Sequence, residues 1–128
     1  MRQINGDTLG RWSLRLDAVY CAVLGTAVAL FAGQIAESIA LPPQLMAAAG
    51  VAVVVWAGGV LWMLARLPLR SALRLVMGVN LLAAIAVGFA SLSAATLLIV
   101  LAVVTVAIDI ALFATSQAIA LRALPARN

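Results

Sequence analysis

From Leu75 to Leu121 the chain carries no proline and no charge except Asp109. As one straight helix this stretch would be roughly 70 Å long at 1.5 Å per residue, about twice what a single bilayer crossing needs. It must fold back. Gly88 and Ser91-Leu92-Ser93 are its break signals, so a turn is predicted there. The half that follows, Leu97 to Leu121, reads as a membrane span with one carboxylate near its middle. An aspartate at the centre of an inserted helix costs about 2.5 to 3.5 kcal/mol on insertion scales, so Asp109 is predicted to face protein or water rather than lipid.

The rest of the chain parses in the same way, because a 128-residue protein that is 66% hydrophobic and 9% charged has too little polar surface to cover a soluble globule. Four spans are predicted, at about 14–41, 44–67, 72–90 and 94–121. Pro42 and Pro43 separate the first two, and Leu67-Pro68 ends the second, since a residue before proline is pushed out of the helical region. Ser71 is a candidate N-cap for the third. Residues 1–13 form a polar arm, with Trp12 placed as an interfacial anchor, and 123–128 a short tail. The first apolar stretch exceeds the roughly 7 to 15 residues of a signal-peptide core and ends in no A-x-A site, so it is expected to remain in the protein. The predicted fold is an all-α polytopic membrane protein, a single four-transmembrane-helix bundle over 14–122.

All eight basic residues are arginines, and their placement predicts topology. Arg2, Arg11 and Arg15 precede the first span, Arg66, Arg70 and Arg74 join the second to the third, and Arg122 and Arg127 follow the fourth. The two remaining turns hold none. Positive-inside bias then puts both termini in the cytoplasm and argues against dual insertion. The same bias accounts for the basic pI, so no nucleic-acid partner is expected. The absence of lysine and histidine removes Schiff-base and His-centred chemistry, and Cys21 is the only thiol. No metal-ligand spacing occurs and no cofactor is expected.

Polar residues inside the spans are the candidates for function. Thr105, Asp109 and Ser116 or Gln117 recur at helical spacing on one face of the fourth span, with Phe113 among them. Thr26 of the first span is estimated to lie near the depth of Asp109 and is its expected partner. Asn80 and Gln117 fall at similar heights in an antiparallel pair, which allows an amide–amide contact. Asp17 is expected at the inner surface, in ion pairs with Arg15, Arg70 and Arg74. Glu37 and Gln34, with Ser38, mark the outer end of the first span, as a solvated rim or a cation-concentrating mouth. Trp56 and Trp62 are expected to pack or anchor. Small residues also recur at packing distance: Gly25, Ala29 and Gly33 in the first span, Gly50, Val54 and Gly58 in the second, Ala107 and Ala111 in the fourth.

Leu14-Arg15-Leu16-Asp17-Ala18, Gly25, Leu41-Pro42, Gly50, Asn80, and Gln117 with Leu121-Arg122 together resemble a widespread group of small four-span bacterial inner-membrane proteins with no assigned activity. The resemblance implies the fold and no reaction. Leu81 to Ala84 follows Asn80 where that group usually carries an amide and a tryptophan, and Asp109 lies outside its pattern. Small multidrug exporters place their essential acid within the first span, and fluoride channels use a glycine-rich motif with dual topology. Neither pattern is present here.

The expected role is therefore a non-enzymatic subunit or scaffold of a membrane complex, embedded in the lipid bilayer as a homo-oligomer or with other membrane subunits. A small proton-linked transporter or channel built on Asp109, with Asn80, Thr105 and Gln117 lining the path, is the alternative. A lone carboxylate without histidine, lysine or a second acid beside it offers no general acid/base pair, so no enzyme is expected.

Overall fold

A computed structural model describes residues 5–93 and 96–125. The chain forms helices α1 (Gly6–Leu30), α2 (Ala32–Ile39), α3 (Pro43–Arg66), α4 (Leu69–Ala90) and α5 (Leu97–Ala123), with a 3-10 turn at Ser91–Ser93. Of these, α1, α3, α4 and α5 are long and apolar enough to cross a membrane, which makes an all-α four-span bundle.

Local chemistry explains each boundary. Asn5 caps α1, its side-chain oxygen accepting from the backbone N–H groups of Asp7 and Thr8. Asp7 suits the positive end of the helix dipole and pairs with Arg11 one turn on, at 3.1 Å. Much of the polar arm is thus already helical, and α1 begins eight positions before the expected span. At its other end that expected span divides at Phe31 (φ −107°, ψ 25°), where α1 gives way to the short α2. Ala40 then adopts a left-handed conformation (φ 60°), and the Leu41 N–H closes back onto the Ala36 carbonyl. Pro43 occupies the first turn of α3, where a missing N–H costs nothing.

Ser71 is not the cap of α4. That helix starts at Leu69 directly after Pro68, whose φ of −55° already suits a helix entry, and Ser71 lies exposed within its first turn. Thr96 caps α5 by accepting from the Ile99 N–H at 3.3 Å. The expected start of the fourth span, at 94, lies outside the described residues.

Helix α1 is central: one side packs along α3 and the other along α5, while α4 lies mainly against α5 and barely meets α3. The α1–α3 crossing is made at glycines. A Cβ placed on Gly50 would stand 2.5 Å from the Ala29 nitrogen and 2.7 Å from the Gly25 oxygen, and one on Gly25 would meet Gly50 and Val54 just as closely. The small-residue rows therefore work within one chain at Gly25, Ala29, Gly50 and Val54. Gly33 and Gly58, in the same rows, have open space around them.

The core is lopsided. Leu14 and Ala18 of α1, Val60 and Met63 of α3, Leu69, Ala72, Leu73 and Val76 of α4, and Ala120 of α5 form one buried cluster. All belong to the ends of the helices that also bear Arg11, Arg15, Arg66, Arg70, Arg74 and Arg122. No comparable cluster fills the opposite half among the described residues. Large aliphatic and aromatic side chains such as Val55, Leu82, Phe89 and Leu112 point outward, as expected where hydrocarbon is the solvent.

Candidate functional site

Among the described residues, three rungs of polar contact join α1 to α5. Nearest the arginine-bearing end, the Ser13 and Ser116 hydroxyls meet at 2.6 Å. Ser116 also donates to the Phe113 carbonyl at 2.8 Å, which leaves Ser13 as the donor across the helices. Deeper lies Asp17, and deeper still Tyr20. Ser13, Asp17 and Tyr20 follow the four-then-three spacing of one helix face, so α1 presents them together to α5.

The middle rung is a sealed cluster. Asp17, Asn80 and Gln117, from α1, α4 and α5, are only 1%, 3% and 0% exposed. The Asp17 carboxylate accepts from the Asn80 amide and, at 2.8 Å, from the Gln117 amide, while Asn80 also donates to the Gln117 oxygen at 3.2 Å. The Cys21 thiol donates to the second Asp17 oxygen at 3.5 Å. Among the described residues no buried side-chain nitrogen or oxygen lacks a partner, which is the condition for such a cluster to hold helices rather than destabilise them.

The expected ion pairs of Asp17 with Arg15, Arg70 and Arg74 are therefore not formed. Arg15 stacks over Trp12, with 5.9 Å between its guanidinium carbon and the ring centroid. Arg70 donates to the Leu124 and Pro125 carbonyls just beyond α5, and Arg74 is exposed. The cause is the early start of α1. Measured from Gly6, Asp17 is about 16 Å along the helix, well inside it.

The deepest rung carries Asp109. Its Oδ2 accepts from the Tyr20 hydroxyl at 3.1 Å, and the Tyr20 ring tilts against Phe113 with centroids 5.4 Å apart. Tyr20, Asp109, Leu112, Phe113 and Ser116 line an open cleft of about 420 Å³ on the flank of the bundle. Asp109 is half-buried there, and Oδ1 has no hydrogen-bond partner among the described residues. Tyr20 lies about 21 Å from Gly6 and Asp109 about 21 Å from Ala123, so the two antiparallel helices bring them to one level.

Thr26 is not the partner of Asp109. It is exposed and returns its hydroxyl to the Ala22 carbonyl of its own helix at 2.6 Å. Thr105 does the same with Leu101 at 2.7 Å and also faces outward. Neither can line a path beside Asp109. The predicted meeting of Asn80 with Gln117 does occur, with Asp17 as its unforeseen centre. At the far end Gln34 and Glu37 are exposed on α2, and Ser38 donates to the Gln34 carbonyl.

Tyr20, Ser13 and Cys21 escaped the sequence reading, although Ser13-Asp17-Tyr20 has the spacing of a buried polar face. Among the described residues no three potential metal-ligating side chains gather. The arrangement offers hydrogen bonds between helices and one incompletely bonded carboxyl group at the bundle flank. No known family model matches the chain, and comparison with curated proteins and with solved structures likewise finds no significant match.

Proposed function

We propose that this chain is a non-enzymatic subunit or scaffold of a bacterial inner-membrane complex, with both termini in the cytoplasm, and that a partner span docks on the Tyr20–Asp109 flank. One observation carries the reading: Asp109 sits near mid-depth at an open cleft with one carboxyl oxygen unbonded. Hydrocarbon offers that oxygen nothing, so a donor from another subunit is the economical way to complete it. The partner is a second copy or another membrane protein whose helix brings a hydroxyl, amide or guanidinium to this depth.

A proton-linked transporter or channel remains the second reading, favoured by the cleft itself. It needs a polar route from Asp109 to each end. Asn80 and Gln117 are closed around Asp17 and Thr105 faces outward, which counts against that route.

Substituting Asp109→Leu makes the test, because it removes the carboxyl group while keeping the flank apolar. Purified in mild detergent, the wild-type chain is expected to run as a complex and Asp109→Leu as a monomer with its helical content intact. If complex size is unchanged and Asp109→Asn instead abolishes pH-driven flux in proteoliposomes, the scaffold reading is wrong and the transporter reading replaces it.

A further inference from the structure

We propose that the half of the bundle opposite the arginines is a binding site for one acyl chain of an aminophospholipid. A cavity of about 470 Å³ opens there between α1, α2, α3, α4 and α5. This is within the range of sites that hold small molecules, and helix bundles place such sites between helices. Leu24, Met46, Val53, Ile99 and Val103 represent a lining that is apolar apart from Gln34 and Ser38. Such a lining offers water few hydrogen-bond partners and suits a hydrocarbon chain.

Shape and charge both select the occupant. The lining runs about 10 Å along α3 from Met46 to Val53, and as far along α5 from Ile99 to Val106. One leaflet of a hydrocarbon core is about 15 Å thick, so a chain entering from the rim spans the cavity without leaving its own leaflet. At the rim, Gln34 and Ser38 sit one turn apart on α2 and can meet the ester and headgroup region. Glu37 lies beside them, exposed, and it is the only charged residue between Asp17 and Arg66. An ammonium headgroup finds its counter-charge in Glu37, whereas an anionic headgroup meets a carboxylate with no cation nearby. The site is separate from the Tyr20–Asp109 flank and does not depend on what docks there.

The probe is a phosphatidylethanolamine carrying a diazirine in mid-chain, photolysed with the intact protein in bilayers and mapped by mass spectrometry. Adducts on Met46, Val53, Ile99 and Val103 are expected in about tenfold excess over those on the outward-facing Leu82 and Leu101. Even labelling overturns the proposal, and so does exclusion of label from the cavity by a protein segment lying in it. Native mass spectrometry supplies the second readout. Ala102→Trp, which fills the cavity, is expected to lose a phospholipid that the wild type and the outward-facing control Leu82→Trp both retain, and equal retention in all three overturns the site. Glu37→Lys is expected to lose a preference of about threefold for ethanolamine over glycerol headgroups. Wild-type binding without that preference overturns the aminophospholipid assignment.

Discussion

At the residue scale, the two intramembrane acids have exchanged the roles that their positions suggest. Asp17, three residues into the expected first span, is enclosed by two amides and a thiol, while Asp109, near the middle of the most apolar helix, lies at an open flank. The difference follows from helix register. Moving the start of α1 from Leu14 to Gly6 adds about 12 Å of depth to every residue on it, which carries Asp17 inward and brings Tyr20, rather than Thr26, level with Asp109. That shift was hard to read because Asn5 and Asp7 look like a solvated arm until they are seen as a cap and a first turn. Asp109 itself was legible as an acid that lipid would not tolerate unaided. Gln117 gives the sharpest test of the sealed cluster, since it both donates to Asp17 and accepts from Asn80. Replacing it by leucine keeps the volume and takes one buried hydrogen bond from each partner, leaving Asp17 and Asn80 bonded to one another. Gln117→Leu is expected to lower stability by about 1 to 3 kcal/mol, read as an earlier midpoint in denaturant titration of detergent-solubilised protein, whereas Cys21→Ser, which preserves a donor to Asp17, is expected to change it little.

At the scale of elements, the α1–α3 pair depends on close backbone approach and the α1–α5 pair on polar rungs. Spacing made the glycine rows visible but not their working members, because whether a small residue meets a neighbour depends on which helix lies opposite. Gly50 and Gly58 share a face of α3 and differ in just this respect. A methyl group on Gly50 would strike the Ala29 backbone, which cannot swing aside as a flexible side-chain end can, while one on Gly58 enters open space. Gly50→Ala is thus expected to cost about 1 to 3 kcal/mol through forced separation of the helices. Gly58→Ala is expected to be neutral or to stabilise by up to about 1 kcal/mol, since alanine is the better helix former. Thermal midpoints of the two variants in one detergent check the contrast, and equal effects would mean that the crossing is not held at Gly50.

Across the whole molecule, the packed half and the hollow half coincide with the charged and nearly uncharged ends. The four-span bundle was legible from apolar run lengths and proline positions, because the bilayer allows few other ways to satisfy so much backbone. The lopsided core was not, since α3, α4 and α5 are apolar on nearly every face and the pattern cannot tell a side chain buried in protein from one facing lipid. Arginine placement is informative at this scale: six described arginines lie at the packed end, and Glu37 is the charge at the other. If positive-inside retention sets the orientation, the packed end is cytoplasmic and α2 faces the opposite compartment. Single cysteines in a Cys21→Ser background separate the alternatives, because Glu37 and Ser71 are exposed at opposite ends of the bundle. Glu37→Cys is expected to react with a membrane-impermeant maleimide on intact spheroplasts, and Ser71→Cys only after lysis. The reverse pattern would place the arginines outside and remove the cytoplasmic assignment of the termini, and labelling of both sites from one side would break the antiparallel four-span arrangement itself.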